Sequence, residues 1–148
     1  MTRSNAREIA VHLAFALGFS DRTADELLEV SLTRENFEQL KEEDPLYNEF
    51  PNEKQRRYIT ELVKGVDAHG PELDGYISKY AVGWSFSRIS RMAAAVMRVA
   101  MYEILYMPEV PAGAAINEAV EGAKRYETPG TAAFINGILG SLVRGGIP

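Results

Sequence analysis

Along most of the chain the apolar residues return every three or four positions, the period of an α-helix with one buried face. In NAREIAVHLAFALG, residues 5–18, Ala6, Ile9, Ala10, Leu13 and Leu17 fall on one stripe, Ser4 or Asn5 offers an N-cap, and Gly18 suits the end. A short second helix is predicted after Thr23, because Thr23 and Glu26 have the spacing of a capping box just before LLEV. From Ser31 to Pro51 the pattern loosens, and one short helix over Arg34–Leu40 is expected there, followed by a loop bounded by Pro45 and Pro51. Asn52 caps a longer helix through Ala68, with Tyr58, Ile59, Leu62, Val63 and Val66 inward. Gly70-Pro71 ends that helix and opens another to about Tyr80.

The second half of the chain is more apolar. RMAAAVMRVAMYEILYM, residues 91–107, has only Arg91, Arg98 and Glu103 as charges, the pattern of a helix buried in the centre of a bundle. Pro108 and Pro111 end it and start a helix to Tyr126 with Ala112, Ala115, Ile116, Ala119, Val120 and Ala123 on one stripe. A last helix over residues 131–144 turns Ile135, Ile138, Leu139 and Leu142 inward. With no strand pattern and no internal repeat, the expected class is all-α: a single domain over residues 1–148, built as a compact bundle of about seven helices.

Four residues of these last two helices do not follow from the pattern: Asn117, Glu118, Asn136 and Gly137. Gly137 and Gly140 each cost about 1 kcal/mol relative to Ala inside a helix. The expectation is that they allow close helix approach or backbone access for a ligand. Asn117 and Asn136 are expected to hydrogen-bond across helices, satisfying buried carbonyls; a direct ligand contact by Asn136 is the sharper alternative. Glu118 has no second carboxylate or histidine placed by spacing to make it a general acid or base.

Composition narrows the classes. The 148 residues include no cysteine, which excludes disulfide frameworks, thiol catalysis and cysteine-ligated zinc and is compatible with a reducing cytoplasm. No segment reaches the roughly 18 consecutive apolar residues of a membrane span. A net charge of -5 argues against a whole-surface affinity for nucleic acid but allows a local basic patch. His12 and His69 lack metal-binding spacing, no glycine-rich phosphate loop or nucleophile elbow occurs, and Glu42, Glu43 and Asp44 read as a solvated run; no metal, cofactor or enzymatic activity is expected.

Three blocks then carry a family resemblance: AREIAVHLAF near the start, AVMRVAMYEILYMPEVPAGAAINEAVEGAKRY, and FINGILGSLV near the end. In order and spacing they resemble the signature blocks of the NusB transcription antitermination family, and WSFSRIS before the central helix also fits. The resemblance covers most of the chain except about residues 20–51. It implies an all-helical domain of two packed helical subdomains that is not an enzyme. It also implies binding to the boxA element of nascent ribosomal RNA, together with the ribosomal protein NusE, within the RNA polymerase antitermination complex in the cytoplasm. Carried over by position, the implied RNA-binding residues are Arg3, Arg7, Phe15, Arg98 and Phe134.

The residues themselves support a part of this. Arg3 and Arg7 are four apart and share a helix face from which each can meet a phosphate. Phe15, Tyr126 or Phe134 can stack on a base of single-stranded RNA. Judged by helix position alone, Phe15 and Phe134 are equally core residues. Arg98 can equally serve a structural ion pair with Glu103 or Glu118. Lys124-Arg125 and the Lys54-Gln55-Arg56-Arg57 run read as solvated faces. Two departures from the family pattern weaken RNA binding. The basic arm is reduced to Arg3 and Arg7, offset by Glu8, and the segment before Phe134 is Gly130-Thr131-Ala132-Ala133 where polar or charged residues are usual. The expectation is weak binding by the protein alone and a need for NusE.

Two other readings fit the blocks. A NusB-like domain of a ribosomal RNA methyltransferase would continue past Pro148 into a cofactor-binding domain, so the stand-alone form is expected. A helical protein-interaction module that has lost RNA binding is supported by the thin basic arm. Self-association through the first helix, with Phe15 and Phe19 exposed, is expected to compete with RNA.

Overall fold

The computed structural model describes residues 1–83 and 89–145, so the 84–88 part of the WSFSRIS block lies outside the described residues. Among these residues the chain forms α1 (Arg3–Leu17), α2 (Ala24–Ser31), α3 (Arg34–Leu40), a 3-10 turn (Pro45–Tyr47), α4 (Glu53–Ala68), α5 (Gly70–Tyr80), α6 (Arg91–Tyr106), α7 (Ala112–Tyr126) and α8 (Pro129–Arg144). The class is all-helical, as expected. The short Arg34–Leu40 helix expected beside the about seven main ones forms, giving eight α-helices among the described residues. The chain divides into two compact units, Met1–Asp67 and Ala68–Pro148.

In the first unit, α1 starts earlier than the pattern suggested. Thr2 is the N-cap rather than Ser4 or Asn5: its Oγ1 accepts the Asn5 N–H at 3.0 Å. Ile9, Ala6 and Ala10 of α1 are fully or almost fully buried. The capping box before α2 forms in full. Glu26 N–H donates to Thr23 Oγ1 at 3.1 Å and Thr23 N–H donates to Glu26 Oε1 at 3.0 Å, a bond that holds the Glu26 carboxyl below its ordinary pKa. Thr33 caps α3 in the same way, through Asn36 N–H.

The loosely patterned stretch after α3 is organised by aromatic contact. Phe37, 3% exposed, receives the rings of Tyr47 and Phe50 edge-on at 5.1 and 5.2 Å, the T-shaped geometry that ring quadrupoles favour. Asp44 Oδ1 accepts the Leu46 N–H and starts the 3-10 turn, and the Tyr47 hydroxyl lies 2.8 Å from His12 Nδ1 of α1. Burial, together with the nearby Asp44 and Glu8 carboxylates, pushes the Tyr47 phenol up to about 12. Asn52 then caps α4 as expected, exchanging side-chain and backbone bonds with Gln55 at 2.8 Å each. Ile59, Leu62, Val63 and Val66 are buried, while Tyr58 is only half-buried.

The second unit is built around α6, which packs against α5, α7 and α8. Ser90 caps it through the Ala93 N–H, and ten of its residues are buried, Glu103 completely. The stripe Ala115, Ala119 and Ala123 of α7 is buried, its small side chains allowing close approach, whereas Ile116 and Val120 are half-buried. In α8 the expected inward residues Ile135, Ile138, Leu139 and Leu142 are all buried. The helix starts at Pro129 rather than Thr131, because Thr128 caps it and proline suits the first turn, where no N–H is needed. Gly145, just past α8, is held to glycine by crowding: a Cβ there would stand 2.9 Å from the Ser141 carbonyl oxygen and 2.5 Å from the Tyr80 hydroxyl. Among the described residues no helix is long and apolar enough to cross a membrane.

Candidate functional site

In the first unit the two expected arginines of α1 part company. Arg3 is exposed, its guanidinium stacked over the Tyr58 ring at 4.4 Å, whereas Arg7, one turn later, is only 7% exposed. Because Arg3 stands at the very start of the helix, its long side chain bends toward α4 while Arg7 continues the buried stripe. Phe15 is half-buried and meets the 61% exposed Phe19 edge-on at 5.0 Å. The run Lys54 to Arg57, read as a solvated face, is mixed. Arg57 is exposed and pairs with Glu53 at 2.8 Å, but Arg56 donates to the Pro51 carbonyl at 2.6 Å. Arg34 and Arg56 both lie against the Phe50 ring, 4.8 and 5.3 Å from its centroid. Arg34 carried no sequence signal for this role, since the contact depends on how the segment before α4 returns.

In the second unit Arg98 is one-quarter exposed and its Nε donates to Asp74 Oδ1 of α5 at 2.6 Å. This ion pair is with Asp74, a partner that helix spacing did not suggest beside Glu103 and Glu118. Asp74 lies 24 residues away, so only tertiary packing could reveal it. Lys124 pairs with Glu121 at 3.0 Å, Arg125 is exposed, and Tyr126 is 37% exposed.

The cross-helix role expected of Asn117 and Asn136 is overturned, since both are exposed. They lie on the outer faces of α7 and α8, offset from the buried Ala115–Ala119 and Ile135–Ile138 stripes, where an amide can satisfy itself with water. Glu118 is half-buried. Nor does Gly137 permit a close helix approach. It is exposed, and a Cβ there would meet nothing within 4 Å; at Gly140 a Cβ would meet only the flexible Arg144 guanidinium. Since nothing fills the space at Gly137, the Gly137→Ala variant is expected to stabilise the protein by roughly 0.5–1 kcal/mol, read as a higher midpoint in chemical denaturation. A lower midpoint would mean that the missing side chain serves the fold after all.

Phe134, on the first turns of α8, is half-buried and lines a cleft of about 310 Å³ together with Ile89, Ser90, Ala93, Thr128, Gly130 and Thr131. Two of the lining hydroxyls, Ser90 and Thr128, belong to the N-caps of α6 and α8. Ser90 Oγ also donates to Glu127 Oε1 at 2.5 Å, and Thr128 and Thr131 share a hydroxyl bond at 3.1 Å. Sequence reading missed this cleft. Its available signal was the pair of capping residues, Ser90 before RMAAAV and Thr128 before Pro129, which flag two helix starts without saying that they converge.

The helices of the two units define an all-helical protein. The chain belongs to the NusB family, whose sequence profile matches residues 4–144. It is 38% identical over 144 residues to the transcription antitermination protein NusB of Acetivibrio thermocellus, an alignment covering 97% of this chain and 90% of that relative. The solved structure of T. maritima NusB superposes with a TM-score of 0.72 at 25% identity, covering 100% of this chain and 94% of the other. A NusB chain solved in a complex of the antitermination factors NusB and NusE with double-stranded RNA has the same fold, with a TM-score of 0.75 at 21% identity and 97% of each chain covered.

Proposed function

We propose that this chain is a transcription antitermination factor. It binds boxA-type single-stranded RNA of nascent ribosomal RNA together with NusE, joins the antitermination complex on RNA polymerase, and performs no chemistry of its own. The observation that carries this reading is the family match over nearly the whole chain, supported by a relative of the same fold solved with NusE and RNA. Residues 1–148 act in it as one RNA-binding domain, in the bacterial cytoplasm where transcription takes place. Arg3, Phe15, Arg98 and Phe134 offer solvent-facing surface to RNA. Arg7, almost wholly buried, serves by holding α1 in place rather than by meeting a phosphate.

With Arg7 buried, only Arg3 and Arg98 remain of the cations assigned to RNA, which implies weak electrostatics. Each phosphate contact adds about 0.7 to the slope of log affinity against log salt for single-stranded RNA, so a protein with one or two such contacts depends only shallowly on salt. Anisotropy titration of a labelled boxA RNA against a scrambled control, at two salt concentrations, tests the reading. Expected are weak but sequence-preferring binding by the protein alone, a salt slope of magnitude below about 2, and tighter binding when NusE is added. Tight binding by the isolated protein at physiological salt contradicts the dependence on NusE. Equal binding to both RNAs in every condition removes the boxA assignment.

The burial of Arg7 favours one second reading, a helical protein-interaction module that has kept the fold and lost RNA. Pulldown of NusE with and without nuclease separates the two. An interaction module keeps its partner equally in both arms and shows no RNA preference in the titration.

A further inference from the structure

We infer that the junction where α5 begins and α6 ends is a docking site for an arginine side chain presented by a protein partner. Four residues build it. His69, the N-cap of α5, stacks on the Tyr106 ring with 4.2 Å between centroids and 26° between planes. Tyr102, one turn before Tyr106 on α6, tilts against the same ring at 5.3 Å. Glu72, in the first turn of α5, accepts the Tyr106 hydroxyl at 2.5 Å and lies 3.3 Å from His69 Nδ1, both through Oε1. Its other oxygen, Oε2, takes part in neither contact.

This arrangement joins a flat, electron-rich wall to a carboxylate. A guanidinium is planar, stacks on aromatic rings and presents paired N–H donors, so one arginine can lie on the wall and reach the acid at the same time. The cluster is ordered before anything binds, because the stack fixes the ring and two contacts fix the acid, and little side-chain freedom is lost on docking. The hydrogen bond to Glu72 pushes the Tyr106 phenol up to about 12, so at neutral pH the phenol remains a donor and the pair keeps the negative charge of the carboxylate.

The cations of the two helices are placed elsewhere. Arg98 is bonded to Asp74, Lys79 lies over the Tyr80 ring, and Arg91 opens α6 at its opposite end. Glu109, shortly after Tyr106 in the chain, is exposed and adds negative charge. The charge of the site therefore calls for a cation from outside. Tyr106 is 39% exposed, so the wall is open surface, which suits a side chain projecting from another protein; tyrosine and arginine are among the residues that most often anchor such contacts. At 1.5 Å per residue, about 20 Å of α6 separates Tyr106 from Ala93 in the Phe134 cleft, so an occupant here leaves the cleft open.

The test has two arms, of which only the second rests on the antitermination reading above. In the first, the isotope-labelled full chain is titrated with a short glycine–serine peptide carrying one arginine, and with its lysine and glutamate counterparts, while backbone amide shifts are followed. Saturable shifts centred on residues 69–76 and 102–107 are expected for arginine, weaker ones for lysine and none for glutamate. Tyr106→Leu and Glu72→Gln should each weaken arginine binding by roughly 2- to 30-fold, and Tyr106→Phe, which keeps the ring, by less than Tyr106→Leu. Equal binding of lysine and arginine, or a leucine variant that binds as the wild type does, overturns the site.

In the second arm, Tyr106→Leu and Glu72→Lys, each shown to be folded by circular dichroism, are compared with the wild type for association with purified NusE and with RNA polymerase, RNA being absent. A loss of roughly tenfold or more toward one of them supports the site and shows which protein supplies the arginine. Undiminished association with both overturns the partner assignment. If the boxA RNA affinity of the isolated variants falls instead, the cluster belongs to the RNA surface and the inference fails. Should the wild type associate with neither protein, the antitermination reading is overturned, and the peptide titration still decides the site.

Discussion

The Phe134→Ala variant is expected to lose roughly 5- to 150-fold in affinity for boxA-type RNA, with the stacking of one base at about 1–3 kcal/mol. The ring stands on the first turns of α8 and lines the cleft beside the starts of α6 and α8. It is also half-buried, and part of any alanine effect reflects lost packing. Two further variants separate the causes. Phe134→Leu retains apolar volume without the π-face and should be nearly as weak as alanine, whereas Phe134→Tyr retains the ring and should bind within about threefold of the wild type. Anisotropy with circular dichroism on each variant reads both effects. Equal binding by the leucine and phenylalanine proteins would show that Phe134 fills space and does not stack.

The second large effect is expected in stability. Leu139 is fully buried on α8, which packs against both α6 and α7. Truncation to alanine removes the apolar contact and leaves a cavity that the surrounding helices only partly close, costing about 2–5 kcal/mol. Against a typical total of 5–15 kcal/mol, that is enough to shift the midpoint of urea unfolding substantially. Asn136, one turn earlier on the same helix but exposed, is the internal control, and Asn136→Ala should change stability by no more than about 0.5 kcal/mol. The reverse order would restore the buried, cross-helix role for Asn136 that its exposure argues against.

These two neighbours on one helix show which parts of the molecule are legible in the sequence. The periodicity of Ile135, Ile138, Leu139 and Leu142 identified the buried face of α8 without error, because burial along a helix follows the 3.6-residue period and apolar side chains dominate the free energy of burial. The same reasoning marked the Thr23–Glu26 capping box, the helix over Arg34–Leu40 and the central place of α6. It failed for Asn117, Asn136 and Gly137. A polar or small residue in an apolar stretch suggests a special role, but these three lie off the buried stripe, and their position on the helix circumference was the more informative fact. The start of α8 was placed two residues late, at Thr131, although threonine before proline is itself a helix-start signal.

The candidate site divides along the same line. Phe134 was found through family resemblance, since spacing alone made it a core residue. Arg7 and Arg98 were likewise assigned to RNA through the family resemblance, with a structural ion pair the alternative for Arg98. The structure shows Arg7 almost wholly buried and Arg98 tied to Asp74.

What the sequence determined by itself is therefore whatever depends on neighbours within a turn or two: the all-helical class, most helix limits, the caps and the inward faces, all governed by local hydrogen bonding and by a single repeating period. Tertiary structure alone decided what depends on residues distant in the chain. That includes the pairing of Arg98 with Asp74, the arginine-flanked Phe50 ring, the aromatic contacts that order the segment around Tyr47, and the meeting of two helix starts at one cleft. No periodicity encodes these contacts, because they arise only after the buried faces have packed and brought separate helix ends together.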